Sequence, residues 1–204
     1  MPKQRRTRED KRQANRAQIL VAARKVFARR GYDRATIAEI AAEADLSNGA
    51  IYYNFKDKED LFLALLDERI DERARRLAAA ATLAGTDGPA HRGVREEALD
   101  VVATLKQSRE WRLLFLEFVV YAARNPSFRA KFVTRRRRMR AALEDVLEQR
   151  ARALGTAPPI PAERLAVLVS GLVNGLAVEE LSEPGSVPDD LLGVALTLLL
   201  GPVN

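Results

Sequence analysis

Apolar side chains recur at spacings of three and four along most of the chain, and no alternating pattern interrupts them, so helices are expected throughout. Ile19, Leu20, Ala23, Val26 and Phe27 form one stripe that stops at Gly31, a residue suited to a helix end, which predicts a first helix from near Arg12. Thr36-Ile37-Ala38-Glu39 reads as a capping box, with Thr36 as the cap and Glu39 reaching back to it. It opens a short helix to Ala44 whose inward side is Ile37, Ile40 and Ala41. Asp45-Leu46-Ser47 then breaks the pattern, with Leu46 plugging the core from the turn and Ser47 capping a third helix to about Asn54. Ala50, Ile51 and Phe55 hold that helix down. Asp57-Lys58-Glu59-Asp60 starts a long helix with Leu61, Phe62, Leu65, Leu66 and Ile70 on its apolar side.

Residues 85–89 read as a loop, and helices are expected at 92–107, 109–124, 126–154, 162–182 and 188–200. The pattern thus predicts an all-α chain of about nine helices. A disordered basic arm over 1–11 precedes a three-helix helix-turn-helix domain over 12–57 and a helical bundle over 58–204.

Composition narrows the chemistry. The 204 residues are 47% hydrophobic and 30% charged, ordinary values for a globular protein. The longest strongly apolar run, Leu191–Leu200, falls short of the roughly 20 residues that span a bilayer, and the N-terminus has no apolar signal core, so a cytoplasmic protein without a membrane partner is expected. Cysteine is absent and His91 is the single histidine, which excludes disulfides, thiolate zinc and histidine metal clusters. No nucleophile with an adjacent base and no phosphate loop are visible, so no enzyme and no cofactor or metal are expected. The net charge is +6, and its excess gathers in Lys3, Arg5, Arg6, Arg8, Lys11 and Arg12 against Glu9 and Asp10. Such an arm either enters a DNA minor groove or is a solvated tail.

Residues 36–55 suit a helix-turn-helix, in which a second short helix offers small or polar groups outward. Ser47, Asn48, Gly49, Tyr52, Tyr53 and Asn54 are the outward positions. For Tyr52 and Tyr53 the alternative is packing in the small core; for Asn54 it is a C-terminal cap.

The stretch from Gly31-Tyr32-Asp33 through Thr36-Ile37-Ala38-Glu39-Ile40-Ala41, with Ser47-Asn48-Gly49-Ala50-Ile51-Tyr52-Tyr53-Asn54-Phe55-Lys56-Asp57-Lys58-Glu59-Asp60-Leu61, closely resembles the DNA-binding domain of TetR-type regulators. The resemblance covers about residues 12–66. It implies that Thr36, Tyr52 and Lys58 hold phosphates and that Asn48, Gly49, Tyr53 and Asn54 lie nearest base edges, with Ala38 where relatives place a base reader. It further implies a homodimeric, ligand-responsive repressor on a pseudo-palindromic double-stranded DNA operator, with 58–204 as the ligand-sensing and dimerisation domain. A non-sensing architectural DNA-binding protein is the competing reading.

In that domain, residues 111–121 are apolar nearly all round and must be buried on most sides. Candidate residues for a small-molecule pocket are Phe62, Leu66, Trp111, Phe115, Glu117, Phe118, Tyr121 and Asn174. Plain core packing is the alternative for Trp111 and Phe115, a salt bridge with Arg124 or Arg112 for Glu117, and an interface hydrogen bond for Asn174. Leu168, Gly171, Leu172 and Gly175, with Leu191, Val194, Ala195 and Leu198, form two apolar stripes that suit a four-helix dimer interface. The run 135–138 with Arg140 is read as a solvated face rather than a second DNA patch.

Overall fold

The computed structural model describes residues 8–83, 109–155 and 160–200. Residues 1–7 of the arm, the 85–89 loop with His91, and the helix expected at 92–107 lie outside the described residues. The all-α class holds, with helices α1 Arg8–Arg30, α2 Ile37–Glu43, α3 Asn48–Asn54, α4 Lys58–Leu83, α5 Arg109–Arg124, α6 Pro126–Leu154, α7 Ala162–Ser182 and α8 Leu191–Leu200. Two compact units divide the chain, one from residues 1–68 and 113–132, the other from 69–112 and 133–204.

The first unit begins with a helix that starts at Arg8, four residues before the apolar stripe alone suggests. Glu9 explains the extension, because its carboxylate accepts from Arg12 Nε at 3.1 Å, Arg12 Nη2 at 3.0 Å and Gln13 Nε2 at 3.3 Å. Acids in the first turn also suit the helix dipole. Charges that look like a disordered tail therefore have a helical use from residue 8 onward.

α1 ends where Gly31 adopts φ +76°, and the Gly31 N–H donates to the Phe27 carbonyl at 2.8 Å. A side chain is disfavoured there twice over. The left-handed backbone disfavours it, and a Cβ would lie 3.0 Å from Oε1 of Glu117. The capping box of α2 is complete: Glu39 N–H donates to Thr36 Oγ1 at 3.2 Å, and Thr36 N–H donates to Glu39 Oε2 at 3.0 Å. Asp45, at φ +51°, makes the tight turn into α3, which Ser47 caps through the Ala50 N–H at 3.2 Å.

Behind these helices lies an aromatic core. Phe62, fully buried, sits 4.0 Å from Phe118, 4.5 Å from Tyr32, 5.0 Å from Phe27 and 5.9 Å from Phe128, centroid to centroid. The Tyr121 ring lies against Tyr32, tilted, with centroids 4.3 Å apart, and burial first, then its hydrogen bond with Tyr121, pushes the Tyr32 phenol above its ordinary range. Phe62 and Phe118, candidates for a ligand pocket, are buried in the first unit with half-buried Tyr121 against Phe62, and buried Leu66 belongs to the same unit. Seven aromatic rings of similar size interlock here, Phe27, Tyr32, Phe62, Phe118, Tyr121, Phe128 and Phe132, and packing at interior density requires each to fill its neighbours' gaps.

The second unit packs around Leu165, Val169 and Val173 of α7, with Val187 and Leu192 and with Leu172 and Leu199 partly buried against them. By length and composition α7 could cross a membrane, but this stripe lies in a protein core instead. Buried Glu180 fixes the turn between α7 and α8, accepting from Gly185 N–H at 3.1 Å and Val187 N–H at 3.4 Å.

Two outcomes follow. Gly31→Ala should lower the unfolding free energy by at least about 1–2 kcal/mol in urea titrations, the cost of a left-handed non-glycine residue before any displacement of Glu117. The Glu39 carboxyl is held below 4.5, chiefly by the Thr36 backbone N–H. Its contribution is therefore present above that value and is lost as pH falls through the lower folded-state one. The difference in Tm between the parent and Glu39→Gln, measured by circular dichroism, should be open at neutral pH and should close in acid.

Candidate nucleic-acid interface

α3 is a short helix with two unlike sides. Ile51 and Phe55 are buried beneath it, whereas Tyr52 and Tyr53 are 58% and 60% exposed and Ser47, Asn48 and Gly49 are exposed with them. Core packing, the alternative for the tyrosines, does not describe them. Large rings left in water beside a small glycine make a surface with both apolar and hydroxyl character, suited to a groove.

Gly49 is not demanded by the protomer. A Cβ there would meet only Ser47 Oγ, at an ordinary 3.7 Å. Ala38 is exposed near the start of α2, and Thr36 precedes it on the surface. The Thr36 hydroxyl is engaged with Glu39, accepting its N–H and donating to Oε2 at 3.1 Å, and Ser47 Oγ accepts from Ala50. Both hydroxyls therefore stabilise their helices first.

Two expected DNA contacts sit differently from their sequence reading. Asn54, the last residue of α3, donates through Nδ2 to the Ala50 carbonyl at 2.8 Å, so its amide nitrogen is engaged with its own helix. Lys58, expected at phosphate, turns back into the protein. Its ammonium donates to the carbonyls of Tyr32 at 2.9 Å, Asp33 at 3.3 Å and Ala35 at 3.1 Å, and lies 4.5 Å from the Tyr32 ring centroid. An ammonium has three donors, and all three are used.

Glu117, a candidate pocket residue with a salt bridge to Arg112 or Arg124 as its alternative, accepts the Tyr32 N–H through Oε2 at 3.1 Å. Sequence reading missed two residues that tie α1 to the reading helices. Arg16 donates to the Asn54 carbonyl at 3.4 Å with its guanidinium 4.4 Å over the Phe55 ring, and Gln18 donates to the Ala44 carbonyl at 2.6 Å. Nothing in local spacing marks either one, because both partners are loop or helix-end carbonyls far along the chain.

Among other cations near the motif, Lys25 and Arg29 pair with Glu43, at 3.3 and 3.7 Å, and Arg30 with Glu39 at 3.1 Å. In the second unit, Trp111 carries Arg69 at 5.4 Å and Asn174 is half-buried, whereas Phe115, also half-buried, belongs to the first unit. Leu168, Gly171, Gly175, Leu191, Val194 and Leu198 are exposed, whereas Leu172 and Ala195 are half-buried.

Residues 19–65 match the family model of bacterial regulatory proteins of the tetR family, and residues 90–199 match that of the BetI-type transcriptional repressor C-terminal domain. The chain is 31% identical over 186 residues to the HTH-type transcriptional repressor Rv1474c of Mycobacterium tuberculosis, covering 91% of each chain. Among solved structures it resembles the regulator FadR of Bacillus subtilis in complex with stearoyl-CoA, with a TM-score of 0.76 and 19% identity over 91% of this chain and 97% of that one. It also resembles a regulator of Saccharomonospora viridis in complex with choline, with a TM-score of 0.66 and 24% identity over 91% and 94%. A helix-turn-helix with an exposed α3, in a chain matched by family models at both ends and by a repressor along nearly its whole length, belongs to the tetR family of transcriptional regulators.

Proposed function

We propose that this regulator is a ligand-responsive repressor that binds a pseudo-palindromic operator as a homodimer in the cytoplasm, each protomer placing α3 in one major groove. The observation that carries it is the exposure of Tyr52 and Tyr53 on a helix whose other side, Ile51 and Phe55, is buried. Tyr52 then donates to phosphate, while Asn48, Gly49 and Tyr53 face base edges and Thr36, Ala38 and Ser47 lie at the margin of the contact. Lys58 acts as a brace rather than a phosphate ligand, given the three carbonyls it holds.

The homodimer reading rests on α7 and α8. Leu168 and Val194 are half exposed and Leu198 is 79% exposed, an unusual apolar load for a protomer surface. A Cβ at Gly171 or Gly175 would meet nothing within 4 Å, so the protomer itself sets no need for glycine there. Close approach of a second copy supplies one. Ligand response rests on relatives of the same fold crystallised with stearoyl-CoA and with choline. In this reading a small molecule bound in the second unit changes the spacing of the two reading heads.

Selection of random duplexes by gel shift should return inverted repeats; enrichment of no sequence, or of single half-sites only, overturns the proposal. Leu168→Glu should yield monomers by light scattering and lose inverted-repeat binding. Gly49→Ala should keep or raise Tm, because alanine favours helix by about 1 kcal/mol, while weakening operator binding. Tyr52→Ala should weaken binding to all duplexes, whereas Asn48→Ala should change which duplexes are selected. Lys58→Met should lower Tm and leave the salt dependence of binding unaltered; a slope reduced by about one would return Lys58 to the phosphates.

A further inference from the structure

Arg69, Arg73 and Arg76 recur along α4 at spacings of four and three, all within the second unit. Glu72 takes two of them, with Arg69 Nη1 at 3.0 Å and Arg76 Nη2 at 2.6 Å. Burial raises the Glu72 carboxyl, and Arg69 and Arg76 outweigh it and hold it below its ordinary value. Arg73 has a different setting. Although the residue keeps some exposure, its guanidinium is pushed down to about 10, first by burial and then by Arg69, Arg136 and Arg76. It remains a cation at neutral pH, surrounded by cations on α4 and α6.

On α5 the Trp111 ring supports Arg69, and the next residue is Arg112. Arg112 is 8% exposed, and its Nε and Nη1 are buried without a hydrogen-bond partner. These two nitrogens lie on different edges of the guanidinium plane, so both edges carry unmet donors. Buried donors of a charged group left without acceptors cost a fold stability. Such groups call for an explanation, and an acceptor that arrives from outside the chain is one. Carboxylates and phosphates are the acceptors that match a guanidinium in geometry and charge.

We propose that the second unit binds a small-molecule oxyanion, a carboxylate or a phosphate, with Arg112 as its anchoring donor and the arginines of α4 supplying the positive field. This names the chemical class of the effector and rests on the ligand-responsive reading above.

The test is thermal melting of the full chain with sodium phosphate or sodium succinate, each matched in ionic strength by sodium chloride, and with choline chloride as a cationic probe. At least one oxyanion should raise Tm saturably by about 2–4 °C over the chloride control, and choline should not. Absence of any oxyanion effect, or an equal effect of choline, overturns the proposal. Arg112→Met should abolish the shift, and a shift of parental size in that variant also overturns it. Should Arg112→Met fail to fold, Arg112→Lys keeps the charge and changes the donor geometry, so the midpoint of the response should move at least tenfold; an unmoved midpoint overturns the proposal. Operator selection on the same samples separates the two readings. Intact inverted-repeat binding without an oxyanion response removes this inference alone, whereas failure to select an operator removes the repressor reading and leaves the anion measurement standing.

Discussion

The five residues from Gly31 to Ala35 carry the chain from α1 into α2, and their peptide groups are gripped at both poles. Lys58 collects the carbonyls of Tyr32, Asp33 and Ala35, while Glu117 accepts the N–H of Tyr32. A cation on the oxygens and an anion on a nitrogen are the right charges for the two ends of a peptide dipole. Withdrawing the Lys58 ammonium from water is tolerable because its three donors find three acceptors and its open side faces the Tyr32 ring. The consequence reaches α3. Fixing this turn fixes the entry of α2, and α2 positions α3 through the tight turn at Asp45.

The same grip organises the hydrophobic side. Once Tyr32 is held by its backbone, its ring is committed to the cluster around Phe62, between Phe27 and Tyr121. Burial of those aromatic surfaces supplies the larger stabilisation, and the polar grip decides which of several packings the loop adopts. The outer side of α3 can then leave Tyr52 and Tyr53 exposed, since the core beneath does not need them.

What the sequence made legible was local. The capping box at Thr36 and Glu39, the cap at Ser47 and the stop at Gly31 are written within a few residues, and each is present in the fold. Outward positions on α3 were equally readable, because Ile51 and Phe55 mark the inward side of so short a helix. The roles of Phe62, Phe118 and Tyr121 were not readable, because a segment apolar nearly all round does not say which neighbour each ring meets. The contacts of Lys58 were hidden for a related reason: an amine at a helix start suits phosphate, and the carbonyls it meets fold back from a distant loop. The charges at 8–12 were hidden differently, since an amphipathic stripe begins only where burial begins, while the helix itself extends over solvated ion pairs.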